Sequence, residues 1–123
     1  MRLRELIDLL ECEVVWVPAR WETLEVHACF AADLMSDVLA YSQPGALLIT
    51  GLISIQSAHT ADVADLAAIL YVAGKRPPHA VLDLACERRI PLLSTRISMF
   101  DACGVLYKAG LKAASRSCSP PGV

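Results

Sequence analysis

Ala46-Leu47-Leu48-Ile49-Thr50-Gly51 is a continuous apolar run, and Ala67-Ala68-Ile69-Leu70-Tyr71-Val72-Ala73 repeats the pattern further along. Runs of this length with no polar alternation read as strands buried on both faces of a sheet. Pro44-Gly45 precedes the first run and Gly74 closes the second. Between them, residues 57–66 read as a helix with Val63 and Leu66 on its buried side. A strand, a helix and a strand in so short a span define a βαβ crossover and hence a parallel pair.

The same rhythm extends outward in both directions. Pro77-Pro78 starts a helix running through Arg89, since proline is tolerated in a first turn. Residues 91–94 form a short strand. Ser98, with Asp101 three residues on, resembles a capping box for a last helix, in which Phe100, Cys103, Tyr107 and Leu111 share a stripe. Towards the N-terminus, Leu3, Leu6, Ile7 and Leu10 recur at helical spacing over residues 2–10. Val14-Val15-Trp16-Val17 is a strand stopped by Pro18. A loop over 18–23 leads to an extended segment, Leu24–Ala31. Asp33 then reads as a helix N-cap, with Ser36 and Asp37 in the first turn and Leu34, Met35 and Val38 facing inward. The expected architecture is an α/β three-layer αβα sandwich around a mostly parallel sheet of about five strands. It occupies residues 1–112, and 113–123 is expected to be a disordered tail without apolar periodicity.

The bulk properties narrow the function. One domain fits in 123 residues. The chain is 55% hydrophobic and 20% charged, with a mean hydropathy of +0.48. Doubly buried strands are expected to account for part of that, and apolar surface covered by a partner chain for the rest. The net charge of −2 and scattered basic residues argue against nucleic acid. No stretch approaches the roughly 20 apolar residues of a membrane helix, and the start is not a signal peptide. Cys12, Cys29, Cys86, Cys103 and Cys118 are odd in number and lack CxxC spacing. They form neither a disulfide framework nor a zinc site, and they fit a reducing cytoplasm.

Catalytic patterns are absent. There is no GxGxxG, no P-loop at Gly74-Lys75-Arg76 and no GxSxG. His27, His59 and His79 sit in unrelated settings. Asp33 and Asp37 are better explained by capping and the helix dipole than by cation binding. A catalytic role for those aspartates or for Cys29 is the weakest of the readings. No catalytic residue, metal ligand or cofactor is assigned. Ligands of open parallel sheets bind at the strands' carboxyl ends. That rule singles out Thr50, Gly51, Ser54, Ser94 and Thr95, with Lys75, Arg76 and Arg96 nearby, for a small anion or nucleotide. Trp21, in the loop, is a candidate contact for a partner subunit.

Several stretches resemble DRTGG domains. They are Glu25-Val26-His27-Ala28-Cys29-Phe30-Ala31-Ala32-Asp33-Leu34-Met35-Ser36-Asp37-Val38, Leu48-Ile49-Thr50, Leu66-Ala67-Ala68-Ile69-Leu70, and Ile90-Pro91-Leu92-Leu93-Ser94-Thr95 followed by Phe100 and Gly104-Val105-Leu106-Tyr107. The likeness covers roughly residues 1–112. It is strongest to the stand-alone, iron-only-hydrogenase-associated type. The segment that names the family is Thr23–Cys29 here and lacks the Arg, Thr and paired glycines, so no functional residue carries over. Ala28 and Cys29 would also limit ligand approach to the backbone. The resemblance implies a fold similar to the N-terminal domain of HPr kinase/phosphorylase. It also implies an accessory, regulatory role with dimer contacts. A non-catalytic regulatory or assembly module is therefore expected, acting as a homodimer with a protein partner in a hydrogenase or other redox system. The alternative is a sensor for a nucleotide or other anion.

Overall fold

The computed structural model describes residues 1–114. Five helices and six strands alternate along them: α1 (Leu3–Leu10), β1 (Glu13–Trp16), β2 (Ala28–Ala31), α2 (Met35–Tyr41), β3 (Leu47–Thr50), α3 (Ile55–Val63), β4 (Ala68–Tyr71), α4 (His79–Arg88), β5 (Leu92–Ser94), α5 (Met99–Lys108) and β6 (Lys112–Ala113). A 3-10 turn, Trp21–Thr23, sits in the β1–β2 connection.

The sheet runs β1-β5-β4-β3-β2-β6. Only β1 is antiparallel to its neighbour, and the other four pairings are parallel. From β2 to β5 the chain steps across the sheet in one direction. Right-handed crossovers in one direction put their helices on one face, and Met35, Val38, Ala58, Ala61, Val81 and Ala85 of α2, α3 and α4 share one core there. After β5 the direction reverses, and α5 returns over the opposite face to the far edge. Ala102 and Leu106 of α5 join Leu3, Leu6 and Leu10 of α1 in the second core. The expected α/β sandwich is the observed one. Its strands β3 and β4 are buried at every position, as the unbroken apolar runs require.

Four local readings are corrected. The extended segment from Leu24 is a strand only from Ala28, although Glu25 bridges Arg2 and the Val26 amide donates to the Met1 carbonyl at 2.7 Å. A sixth strand exists. Lys112 and Ala113 pair with Ala28 and Cys29, and the Ala114 amide donates to the Cys29 carbonyl at 2.8 Å. Ala113, expected in a tail, is thus part of the sheet, Ala114 is hydrogen-bonded to its edge, and 115–123 lie outside the described residues. Several helix faces differ from the expected ones. Phe100 is 86% exposed, Tyr107 67% and Val63 75%, and Leu34 is exposed too. Small residues sit under the helices instead, Ala102 in α5 and Ala58 and Ala61 in α3, because close helix–sheet and helix–helix approach leaves no room for large ones. Trp21 is half-buried against the second core, with the Arg4 guanidinium 5.1 Å from its ring centre. It is therefore less exposed than its loop position suggests.

Candidate functional site

Thr50, Tyr71 and Ser94 form one row across the carboxyl ends of β3, β4 and β5. Two strand spacings therefore separate Thr50 from Ser94, about 10 Å. The sequence-derived residues do not converge on one site. They form two groups, with Thr50, Gly51 and Ser54 at the end of β3, and Ser94 and Thr95 at the end of β5.

At β3 the organising residue is Asp33, which is not the N-cap of α2. Leu34 takes that position, and the Asp33 carboxylate turns towards the sheet. Its Oδ1 accepts from the Thr50 hydroxyl at 3.0 Å and from the Gly51 amide at 2.7 Å. Thr50 Oγ1 in turn accepts from the Leu52 amide at 3.1 Å. Gly51 leaves space above the backbone: a Cβ there would stand 3.5 Å from Lys75 Nζ and 3.6 Å from Asp33 Oδ1. Ser54 begins α3 without a side-chain cap, and Ser57 Oγ donates to the Ser54 carbonyl at 2.8 Å.

The second group lies at the switch point of the sheet. Connections from adjacent strands β4 and β5 leave towards opposite faces there, the arrangement that opens a ligand crevice in such folds. The crevice floor is laced shut. The Gly74 amide donates to the Thr95 carbonyl at 2.9 Å, and the Ala73 amide to the Ile97 carbonyl at 2.9 Å. Ser94 Oγ donates to the Lys75 carbonyl at 2.7 Å. Thr95 Oγ1 donates to the Leu10 carbonyl at 2.7 Å, so this hydroxyl points into the fold and not into the crevice. What remains above is a depression of about 230 Å³ lined by Glu11, Glu13, Gly74, Arg76, Ser94, Thr95 and Arg96. Arg76 is paired with Glu13, which reduces the positive charge offered there.

Other reactive groups are scattered. His27 contacts Glu25 at 3.8 Å and His79 contacts Asp83 at 3.1 Å, all exposed. Among the described residues no three His, Cys, Asp or Glu side chains gather to hold a metal. Burial pushes the Cys12 and Cys29 thiols up to about 12 and raises Cys103 as well. A thiol held protonated is a poor nucleophile. Cys29 and Cys103 line an apolar hollow of about 200 Å³ between α5 and the β2–β6 edge, with Ile49, Leu106, Tyr107 and Leu111. The role of Asp33 as partner of Thr50 and Gly51, and this hollow, are not legible in the sequence, because each depends on residues far apart in the chain.

No family model and no curated protein matches the chain. Its fold is shared with a solved structure, that of the CBS and DRTGG domains of the regulatory region of Clostridium perfringens pyrophosphatase, complexed with the activator diadenosine tetraphosphate. The TM-score is 0.73 at 14% identity, over 91% of this chain and 48% of that one. At this identity the likeness is one of fold, and the chain spans about half of the neighbour's length. The architecture expected from the resemblance to DRTGG domains is therefore one used in a regulatory region. No helix among the described residues is long and apolar enough to cross a membrane.

Proposed function

We propose that this chain is a non-catalytic regulatory or assembly module that acts through self-association and partner binding. One contrast carries the reading. The hydroxyls of Thr50, Ser94 and Thr95 are engaged inside the fold, whereas two aromatic side chains of α5 stand in solvent. Exposed aromatics are the typical anchors of protein contacts. Use of the same fold in a pyrophosphatase regulatory region supports the regulatory part. Service to a hydrogenase or other redox system belongs to the proposal through the sequence resemblance. The free thiols of Cys12, Cys29, Cys86 and Cys103 fit a reducing cytoplasm, which is its proposed place. Sedimentation velocity of the purified chain tests self-association. A species of twice 13.3 kDa is expected, and a monomer throughout the micromolar range overturns it.

A second reading, a sensor of nucleotides or other anions at the end of β3, is favoured by Lys75 standing over Gly51. In the first turn of α3 the Ser57 amide donates to the Ser54 carbonyl at 3.0 Å, whereas the Ile55 and Gln56 amides precede the intrahelical ladder and Ser54 does not cap them with its side chain. The neighbour's activator, a polyphosphate, is of the matching charge. Thermal unfolding with diadenosine tetraphosphate, ATP or inorganic phosphate tests it. An upward shift lost in Lys75→Ala and Gly51→Ala supports the site. Unchanged melting with all three removes it.

A further inference from the structure

We propose that two copies of this chain associate through α5, packed antiparallel about a two-fold axis passing beside Gly104. The inference rests on the self-association reading and names its surface. The outward side of α5 carries Phe100, Gly104 and Tyr107, one helical turn apart, flanked by Asp101 and Lys108. Gly104 is unexplained within a single chain. Glycine in a helix interior is unfavourable, its backbone conformation here is ordinary, and a Cβ would meet nothing within 4 Å. Close approach of a second helix supplies the missing reason, since a residue without a side chain lets two helix axes draw together.

The pattern is self-complementary about that glycine. In an antiparallel pair centred on Gly104, Phe100 faces Tyr107 of the other copy. Asp101 faces Lys108 of the other copy, and the relation repeats on the other side of the axis, as an isologous contact requires. Opposite charges therefore meet in this orientation. On the other flank of α5, beside Tyr107, opens the hollow of about 200 Å³ lined by Cys29, Cys103 and Leu106. It exceeds the roughly 150 Å³ that accommodates benzene, so it has room for the incoming Phe100 ring. Phe100 and Tyr107, at 86% and 67% exposure, offer roughly 300 Å² of aromatic surface per copy. That is the centre of a patch that covers about 800 Å² per partner in a standard interface.

Sedimentation of the full chain and its variants tests the surface. Phe100→Ala and Gly104→Gln should each weaken the dimer at least tenfold. Gly104→Gln should at the same time raise the melting temperature of the dilute monomer, because it removes a helix glycine. Asp101→Lys and Lys108→Asp should each be monomeric alone and form a one-to-one heterodimer when mixed, since only the mixture pairs every charge across the axis. A dimeric wild type whose variants all remain dimeric overturns the α5 surface and leaves self-association standing. A wild-type monomer overturns both. If that monomer also melts lower with Phe100→Ala, the stripe is covered from within its own chain.

Discussion

Thr95 and Leu10 are joined by a buried hydrogen bond: Thr95 Oγ1, just past β5, donates to the Leu10 carbonyl at the end of α1 at 2.7 Å. Carbonyls of a last helical turn lack intrahelical partners, and this one is met from the far half of the chain. Thr95→Val keeps the shape and deprives a buried carbonyl of its donor. A loss of about 2 kcal/mol is expected, read from the urea midpoint, with the slope of the transition unchanged.

A second buried relay has a fixed direction. Ser57 Oγ gives its one proton to the Ser54 carbonyl, so the Tyr71 hydroxyl, 2.8 Å away, donates to Ser57. Tyr71→Phe then removes one donor and orphans nothing, for a cost of about 1 kcal/mol. Ser57→Ala leaves the Tyr71 hydroxyl buried without an acceptor and costs more, about 2 kcal/mol. Denaturation of the two variants side by side should give that order, and the reverse order would contradict the relay.

Alkaline pH should destabilise the fold. Burial raises Cys12 and Cys29 from 9.0 to about 12, and Tyr71 from 10.0 to about 12. The unfolded chain ionises these groups first. Their contribution is therefore complete below about pH 9 and is lost as pH rises towards 12. Urea midpoints at pH 8, 9.5 and 10.5 should fall in that sequence. At pH 8, mass-mapped alkylation should label exposed Cys86 before Cys12 or Cys29.

Asp33→Asn retains an acceptor for Thr50 and Gly51, whereas Asp33→Ala removes it. The alanine variant should lose about 1 kcal/mol, limited because the Gly51 amide can turn to water, and the asparagine variant less. If anions bind beside Lys75, Asp33→Asn should also bind them more tightly, since a negative charge has gone. Calorimetric titration with inorganic phosphate measures this.

Sequence periodicity was sufficient for the layers and for β3, β4 and β5, because fully buried strands leave unbroken apolar runs bounded by glycine and proline. It failed where the determinant is tertiary. Phe100 and Tyr107 repeat at helical spacing and so do Ala102 and Leu106. Only the closeness of α5 to the sheet decides which face is inside. Lys112-Ala113 is too short to show alternation. Asp33 has the local look of a cap, yet its partners are Thr50 and Gly51 in the next strand. Ser94 and Thr95 are read alike from sequence whether a hydroxyl meets a ligand or a backbone carbonyl, and here both meet carbonyls.

The long return from β5 through α5 to β6 also bears on how the chain is made. β2 pairs on one side with β3, soon after it in sequence, and on the other with Lys112 and Ala113. During synthesis on a ribosome, β2 through β5 emerge and can assemble while α5 and β6 are still missing. Until they arrive, the outer edge of β2 and the part of the second face that α5 covers beside α1 stay open to other chains. Sealing that edge is a late event of high contact order, and for that interval the nascent protein is at its most vulnerable to aggregation.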